Sequence, residues 1–209
     1  MQREIIGIFG TAGHGKSTMI RHLMRPLPRV LALDVGLDDY DGALVVGSVG
    51  LAARLIDGRA RYRLVYAAYE RTEEEAVADA VDLTRAYADT PVGAGHPQWL
   101  IMDEADLFAP ARGLSRPMRD AIARGRHWGL SIIYASRRPA EVNRLLTSQT
   151  TRFIVFRTRE PGDLRYLRAF IGEEAAAAAP TLPKFAYLDI AADGEWTMGR
   201  LPEPQHSGS

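Results

Sequence analysis

No cysteine occurs in the 209-residue chain, which excludes a disulfide framework and a thiolate-held zinc site and favours a reducing compartment. No stretch approaches the roughly 20 consecutive apolar residues of a membrane-spanning helix. A strand-like run begins at residue 4 with no signal peptide ahead of it. These absences suit a soluble, intracellular protein. Net charge is absent too, 26 basic residues balancing 26 acids. Lysine is almost missing, with only Lys16 and Lys184 among those bases, and the five histidines lack metal-ligand spacing.

What is present is ordinary globular composition, 46% hydrophobic and 25% charged, at a length that suits one well-buried domain. That domain is expected to span 1–200, with a small, polar, disordered tail over 201–209. No repeat and no Pro/Gly/Ser-rich linker divides it. The balanced charge is unevenly distributed: residues 34–89 hold twelve acids and six arginines, residues 111–168 thirteen arginines and four acids. An arginine-rich half suits an anionic polymer such as nucleic acid, although solvated helix faces give similar counts.

Apolar runs bounded by turn residues alternate with helix-period segments, the pattern of βα units around a mostly parallel sheet. Strands are expected at Ile5–Phe9, at Arg29–Leu33 running into Asp34, over 62–68, at Gln98–Met102, over 130–135 and over 153–156, with a short extended piece at 43–46. Helices are expected over 16–25, at Val49–Ile56, from the Thr72/Glu75 capping box to about residue 88, and over 163–171 and 173–179. An antiparallel hairpin of 185–190 and 195–198 around Asp193-Gly194 completes the sheet. Trp99, Trp128 and Tyr134 lie on or beside these strands, where they pack the core rather than stack on bases.

Between the first strand and the first helix stands Gly10-Thr11-Ala12-Gly13-His14-Gly15-Lys16-Ser17, which fits G-x-x-x-x-G-K-S in the required strand–loop–helix context. Glycines let successive backbone N–H groups turn inward onto the β- and γ-phosphates of a nucleoside triphosphate, the helix adds its positive end, and Lys16 adds a point charge. The segment Gly10, Thr11, Ala12, Gly13, His14, Gly15, Lys16, Ser17 and Thr18 is therefore expected to hold ATP, with Ser17 a Mg²⁺ ligand and His14 an outward-pointing spacer. The fold class that follows is α/β: a P-loop NTPase of the RecA/ASCE kind, a mostly parallel sheet flanked by helices with a C-terminal antiparallel hairpin.

Binding alone needs only the cradle, whereas hydrolysis needs an acid for the magnesium shell and a group to deprotonate water. The apolar strand Gln98–Met102 ends in Asp103-Glu104 and supplies both. Asp103 is expected to hold Mg²⁺ together with Ser17, and Glu104 to be the base. An acid pair in this place argues against a nucleotide kinase or a GTPase.

The stretch from Arg124-Gly125-Arg126-His127 through Ser136-Arg137-Arg138-Pro139 to Val142 resembles the segment that follows the Asp-Glu strand in the HerA/FtsK superfamily of DNA-pumping ATPases. With the cradle and the acid pair, the resemblance covers Ile5 to about Phe156. It implies a homo-oligomeric ring, usually a hexamer, that hydrolyses ATP between neighbours and drives double-stranded DNA through its centre. The polar position after the later strand, commonly a γ-phosphate-sensing glutamine in the superfamily, is here Arg137, which would set a cation near the leaving group as a finger within its own subunit. Arg124 and Arg126 are the candidates for a finger reaching a neighbour.

An N-terminal barrel, membrane segments and a DNA-reading tail, all expected of larger members, are missing from the sequence. A minimal motor of this kind resembles the genome-packaging ATPases of membrane-containing icosahedral double-stranded DNA viruses. The expectation is a Mg-dependent ATPase that translocates duplex DNA without regard to sequence, acting in the host cytoplasm or at the virion vertex beside capsid vertex proteins. The loop 110–116, with Arg112 and Arg116, is the expected pore contact. Two alternatives stand: a cellular motor for conjugation or chromosome processing, and an ATP-dependent switch or adaptor that moves no DNA.

Overall fold

The computed structural model describes residues 3–33, 42–67 and 69–202. Nine strands join in one sheet: β1 Ile5–Phe9, β2 Arg29–Leu33, β3 Leu44–Val46, β4 Tyr62–Tyr66, β5 Gln98–Met102, β6 Leu130–Ser136, β7 Arg152–Phe156, β8 Ala186–Ala191 and β9 Trp196–Arg200, in the order β3-β4-β2-β5-β6-β1-β7-β8-β9. The pairs from β3 to β7 are parallel, and β8 and β9 add antiparallel. The expected mostly parallel sheet with a C-terminal hairpin is therefore present.

Burial explains why these runs are strands. Every residue of β1, β2, β5 and β6 is buried, so the sequence shows continuous apolar runs rather than alternation. Gly7 in β1 gives the adjoining strand room, because a Cβ there would lie 2.7 Å from the Tyr134 hydroxyl. One face of the sheet packs against α1 (Lys16–Met24) through Met19, Ile20 and Met24. The other face is covered by α2 (Val49–Ile56), α3 (Glu73–Ala88), α4 (Ala105–Phe108), α5 (Arg116–Arg124), α6 (Arg144–Ser148), α7 (Pro161–Ile171) and α8 (Glu173–Ala178). Among the described residues no helix is long and apolar enough to cross a membrane.

Local chemistry sets several boundaries. The capping box at Thr72 and Glu75 is formed in both directions and opens α3. Helix α7 begins at Pro161, two residues before the expected start, because Glu160 accepts the Asp163 N–H and proline suits the first turn. The hairpin begins at Ala186 rather than at Phe185, whose φ of 65° takes it out of the extended region. Leu201 is buried and donates its N–H to Phe185 O at 2.9 Å. The expected strand extensions to Asp34 and Ala68, and the tail over 203–209, lie outside the described residues.

Parallel strands deliver their C-terminal ends to one edge of the sheet. Register sharpens this: Phe9 of β1 stands beside Ser136 of β6, and Met102 of β5 beside Tyr134. The residues that follow these strands, Gly10, Arg137 and Asp103, are thus neighbours by construction.

Candidate active site

The loop 10–15 turns on three glycines with positive φ, 153° at Gly10, 73° at Gly13 and 116° at Gly15. Side chains would be excluded at Gly10 by contact as well, since a Cβ would meet Phe156 Cβ at 2.6 Å. Thr11 anchors the loop to the end of β7, donating to Arg157 O from its N–H at 2.8 Å and from its hydroxyl at 2.9 Å. Helix α1 then starts with no side-chain cap and no acid in its first turn, so its positive end faces the loop unneutralised. His14 is half-buried, with Nδ1 2.9 Å from Ala12 O, and Ala12 is exposed. Thr18 follows in the first turn of α1.

Lys16 is buried at 9% exposure, and its Nζ donates to Gly10 O at 2.9 Å and to Thr11 O at 3.4 Å. Burial lowers its pKa, while the charges of Asp103, Glu104 and Asp106 raise it and that of Arg137 lowers it. An ammonium that responds to all four lies close to them. Ser17 Oγ donates to Asp103 Oδ2 at 2.9 Å, which ties the end of the cradle directly to the end of β5. Asp103 is buried, and its Oδ1 accepts the Glu104 N–H at 3.1 Å.

Glu104 occupies the left-handed region at φ 58°, ψ 54°, a conformation that costs a non-glycine residue about 1–2 kcal/mol. Its Oε1 accepts from Arg137 Nη2 at 2.6 Å, with the side chains 42% and 56% exposed, so the pair is open to competition from a ligand. Arg137 sits on the tip of β6, where three consecutive residues each grip a different acid. Ser136 Oγ donates to Asp106 Oδ1 at 2.7 Å, Arg137 to Glu104, and Arg138 Nε to Asp163 Oδ2 at 3.0 Å. Asp163, fully buried at the start of α7, also accepts the Ala140 N–H at 3.1 Å; burial raises its pKa, and the Ala140 N–H and Arg138 oppose the rise. Sequence reasoning missed Ser136, Asp106 and Asp163. The DEAD run at 103–106 was visible, but its second aspartate gains a partner only through the register of β5 on β6.

The structure brings Lys16, Ser17, Asp103, Glu104 and Arg137 together and leaves Arg124 and Arg126 apart. Both are exposed at the opposite edge, Arg124 at the end of α5 within 3.9 Å of Asp120, and Arg126 in the 3-10 turn before β6. Arg126 lies near enough to Arg3 to lower its pKa, after burial. The length of β6 separates this edge from the cradle, about 20 Å at about 3.3 Å per residue.

The donor set fits Mg²⁺. Ser17 and Asp103 offer hard oxygens at the cradle's end, and no group of three or more His, Cys, Asp or Glu able to hold a metal by itself occurs among the described residues. Magnesium bound chiefly through phosphate oxygens, with one or two protein ligands, requires no more.

No protein-family model and no curated protein matches the sequence, whereas solved structures match along nearly its whole length. The genome packaging NTPase B204 of Sulfolobus turreted icosahedral virus 2, in complex with AMPPCP, superposes with a TM-score of 0.75 at 22% identity, over 97% of this chain and 100% of B204. B204, the DNA-packaging ATPase of Sulfolobus turreted icosahedral virus, gives 0.73 at 23% identity over 97% and 99%. The pCW3 conjugation coupling protein TcpA gives 0.62 at 13% identity, over 95% of this chain and 60% of TcpA. The chain shares its fold with these proteins, the P-loop NTPase fold expected from the sequence.

Proposed function

We propose that the chain is a Mg-dependent ATPase that drives double-stranded DNA, as a genome-packaging motor of the viral type working in a homo-oligomeric ring at a capsid vertex. The observation that carries the reading is the convergence of Lys16, Ser17, Asp103, Glu104 and Arg137 at one sheet edge, with the Ser17–Asp103 bond at 2.9 Å. The likeness to B204 along almost all of both chains supports the packaging branch.

The backbone N–H groups of the loop 10–15 and the ammonium of Lys16 hold the β- and γ-phosphates. Ser17 and Asp103 would hold Mg²⁺, which when bound would supply charge neutralisation at the phosphate oxygens. Glu104 takes a proton from a water whose oxygen attacks the γ-phosphorus, and the bond to the β,γ-bridging oxygen breaks as ADP leaves. Arg137 is bound to Glu104 when no phosphate competes for it. A γ-phosphate draws the guanidinium away, which frees the carboxylate and sets a cation where charge develops. Arg124 and Arg126, remote from their own cradle, remain the candidates for a finger that reaches a neighbour's.

Arginines of the loop 110–116 contact the DNA backbone, and affinity for duplex therefore falls steeply with salt and varies little with sequence. The test is ATP turnover with and without duplex DNA for the wild type and Glu104→Gln. Duplex stimulates the wild type, and Glu104→Gln binds ATP within about 3-fold of wild type while kcat falls at least about 100-fold. Normal hydrolysis by Glu104→Gln would remove the assigned base, and indifference of the wild type to duplex would favour a switch or adaptor. The likeness to TcpA supports a second reading, a conjugation-type cellular motor. Capsid genes beside the coding sequence favour packaging, and nuclease or relaxase genes the alternative.

A further inference from the structure

Two short segments leave the candidate site, one from each member of the Arg137–Glu104 pair, and they meet again. From Glu104 the chain runs through α4 to Ala109. From Arg137 it runs through the 3-10 turn Pro139–Glu141 to Asn143. There the two segments pair antiparallel: Pro110 and Val142 form an isolated bridge, the Ala111 N–H donates to Glu141 O at 2.7 Å, and the Asn143 N–H donates to Ala109 O at 2.8 Å.

The Asn143 side chain fastens this join. Its Nδ2 donates to Pro110 O at 3.0 Å and to Ala111 O at 3.4 Å, while its Oδ1 accepts the Leu145 N–H at 3.0 Å and caps α6. Immediately beyond the join lies an exposed turn, with Arg112 and Gly113 at its tip, followed by exposed Arg116 and Arg119 on α5. The contacts close a circuit with a breakable ion pair at one end and an arginine turn at the other. Asp163 holds the middle of the Arg137 arm through Arg138 and the Ala140 N–H.

We infer that Asn143 is the positioning residue through which nucleotide state reaches the arginine turn, an inference that rests on the ATPase reading above. Coupling needs an element with two discrete arrangements, and the exposed Glu104–Arg137 pair, made or broken by a γ-phosphate, is that element. Both arms shift when it breaks. Two backbone hydrogen bonds leave so short a join free to slip, and slippage would absorb the shift before it reached Arg112. The Asn143 amide fixes the register, because it grips two carbonyls of one arm and the first turn of the helix that continues the other.

The test is a linkage measurement on the full chain. The Kd for a random-sequence DNA duplex is measured with and without saturating AMPPCP, for the wild type, Asn143→Asp and Asn143→Ser. Asn143→Asp keeps an oxygen to cap α6 and removes the donor; Asn143→Ser keeps a capping oxygen without adding charge, its hydroxyl being one bond too short to take the place of Nδ2 on the two carbonyls, and serves if the aspartate variant fails to fold. In the wild type the analogue changes duplex affinity about 5-fold or more. In the variants that ratio collapses to within about 2-fold of unity, while the Kd for duplex alone and the Kd for AMPPCP each stay within about 3-fold of wild type. A merely structural role for Asn143 would weaken both affinities and leave the ratio intact. A ratio that survives in the folded variants, or that is absent from the wild type, overturns the inference. Failure of the ATPase reading is detected separately, by turnover of the wild type and Glu104→Gln, in which Asn143 is unaltered.

Discussion

The two edges of the sheet use the same residue types for opposite ends. At the N-terminal edge most of these polar side chains are spent on the backbone, the Arg152–Asp189 pair being an exception. Arg3 donates to Leu130 O at 2.9 Å and to Ile122 O and Ala121 O at 2.7 Å, tying β1, β6 and the end of α5 together. Ser131 and Thr151 accept the N–H groups of Glu4 and Ile5, and buried Gln98 bonds Tyr62 and the Thr84 carbonyl. At the C-terminal edge, serine and arginine bond carboxylates instead: Ser17 to Asp103, Ser136 to Asp106 and Arg137 to Glu104. A carbonyl partner cannot be drawn off by a ligand, whereas a charged partner can. The first edge is built for permanence and the second for exchange.

Substitutions on each side sharpen that contrast. The largest effect is expected from Arg137→Ala: kcat falls at least about 100-fold, while ATP affinity stays within about 5-fold and Tm within about 2 °C, because the pair it breaks is exposed. Steady-state turnover, a nucleotide titration and a thermal melt measure the three, and a large loss of Tm would make Arg137 a structural residue. Arg3→Ala should behave in the opposite way. Loss of three bonds to carbonyls, two of them in the last turn of α5, lowers stability by about 2–3 kcal/mol, or Tm by about 4–10 °C, with the Kd for ATP within about 2-fold. The smallest effect is expected at the same edge from Asp189→Asn. It breaks the partly exposed Arg152–Asp189 pair across β7 and β8 and lowers Tm by about 2 °C or less, less still in high salt. A larger drop for Asp189→Asn than for Arg3→Ala would put the strength of that edge in ion pairs rather than in carbonyl bonds.

Most of the fold was legible because its signals are local. Buried parallel strands announce themselves as unbroken apolar runs, and the Thr72/Glu75 box marks the start of α3. The cradle and the acid pair were legible for the same reason, each being a short motif at the end of a strand. What remained hidden depends on register. Arg137 and Glu104 are 33 positions apart, and Ser136 and Asp106 are 30 apart. Nothing in either segment signals the partner until β6 lies beside β5. Arg3 was equally silent, because its three acceptors are backbone carbonyls, which every residue possesses. The placement of Arg124 and Arg126 away from the cradle follows from the direction of β6, which begins at the edge where those arginines stand.

The central position of β1 has a consequence for biosynthesis. Its hydrogen-bonding neighbours are β6 and β7, in which Ile6 faces Ile133 and Arg152. A ribosome delivers those partners long after β1, so β1 must wait, unpaired and oily, until Leu130–Ser136 and Arg152–Phe156 are made. A truncated translation product ending before β6 would carry the phosphate-binding motif yet lack both strands that flank β1. Such fragments are natural clients for chaperones, and slow maturation follows from threading β1 between two strands that come much later in the sequence.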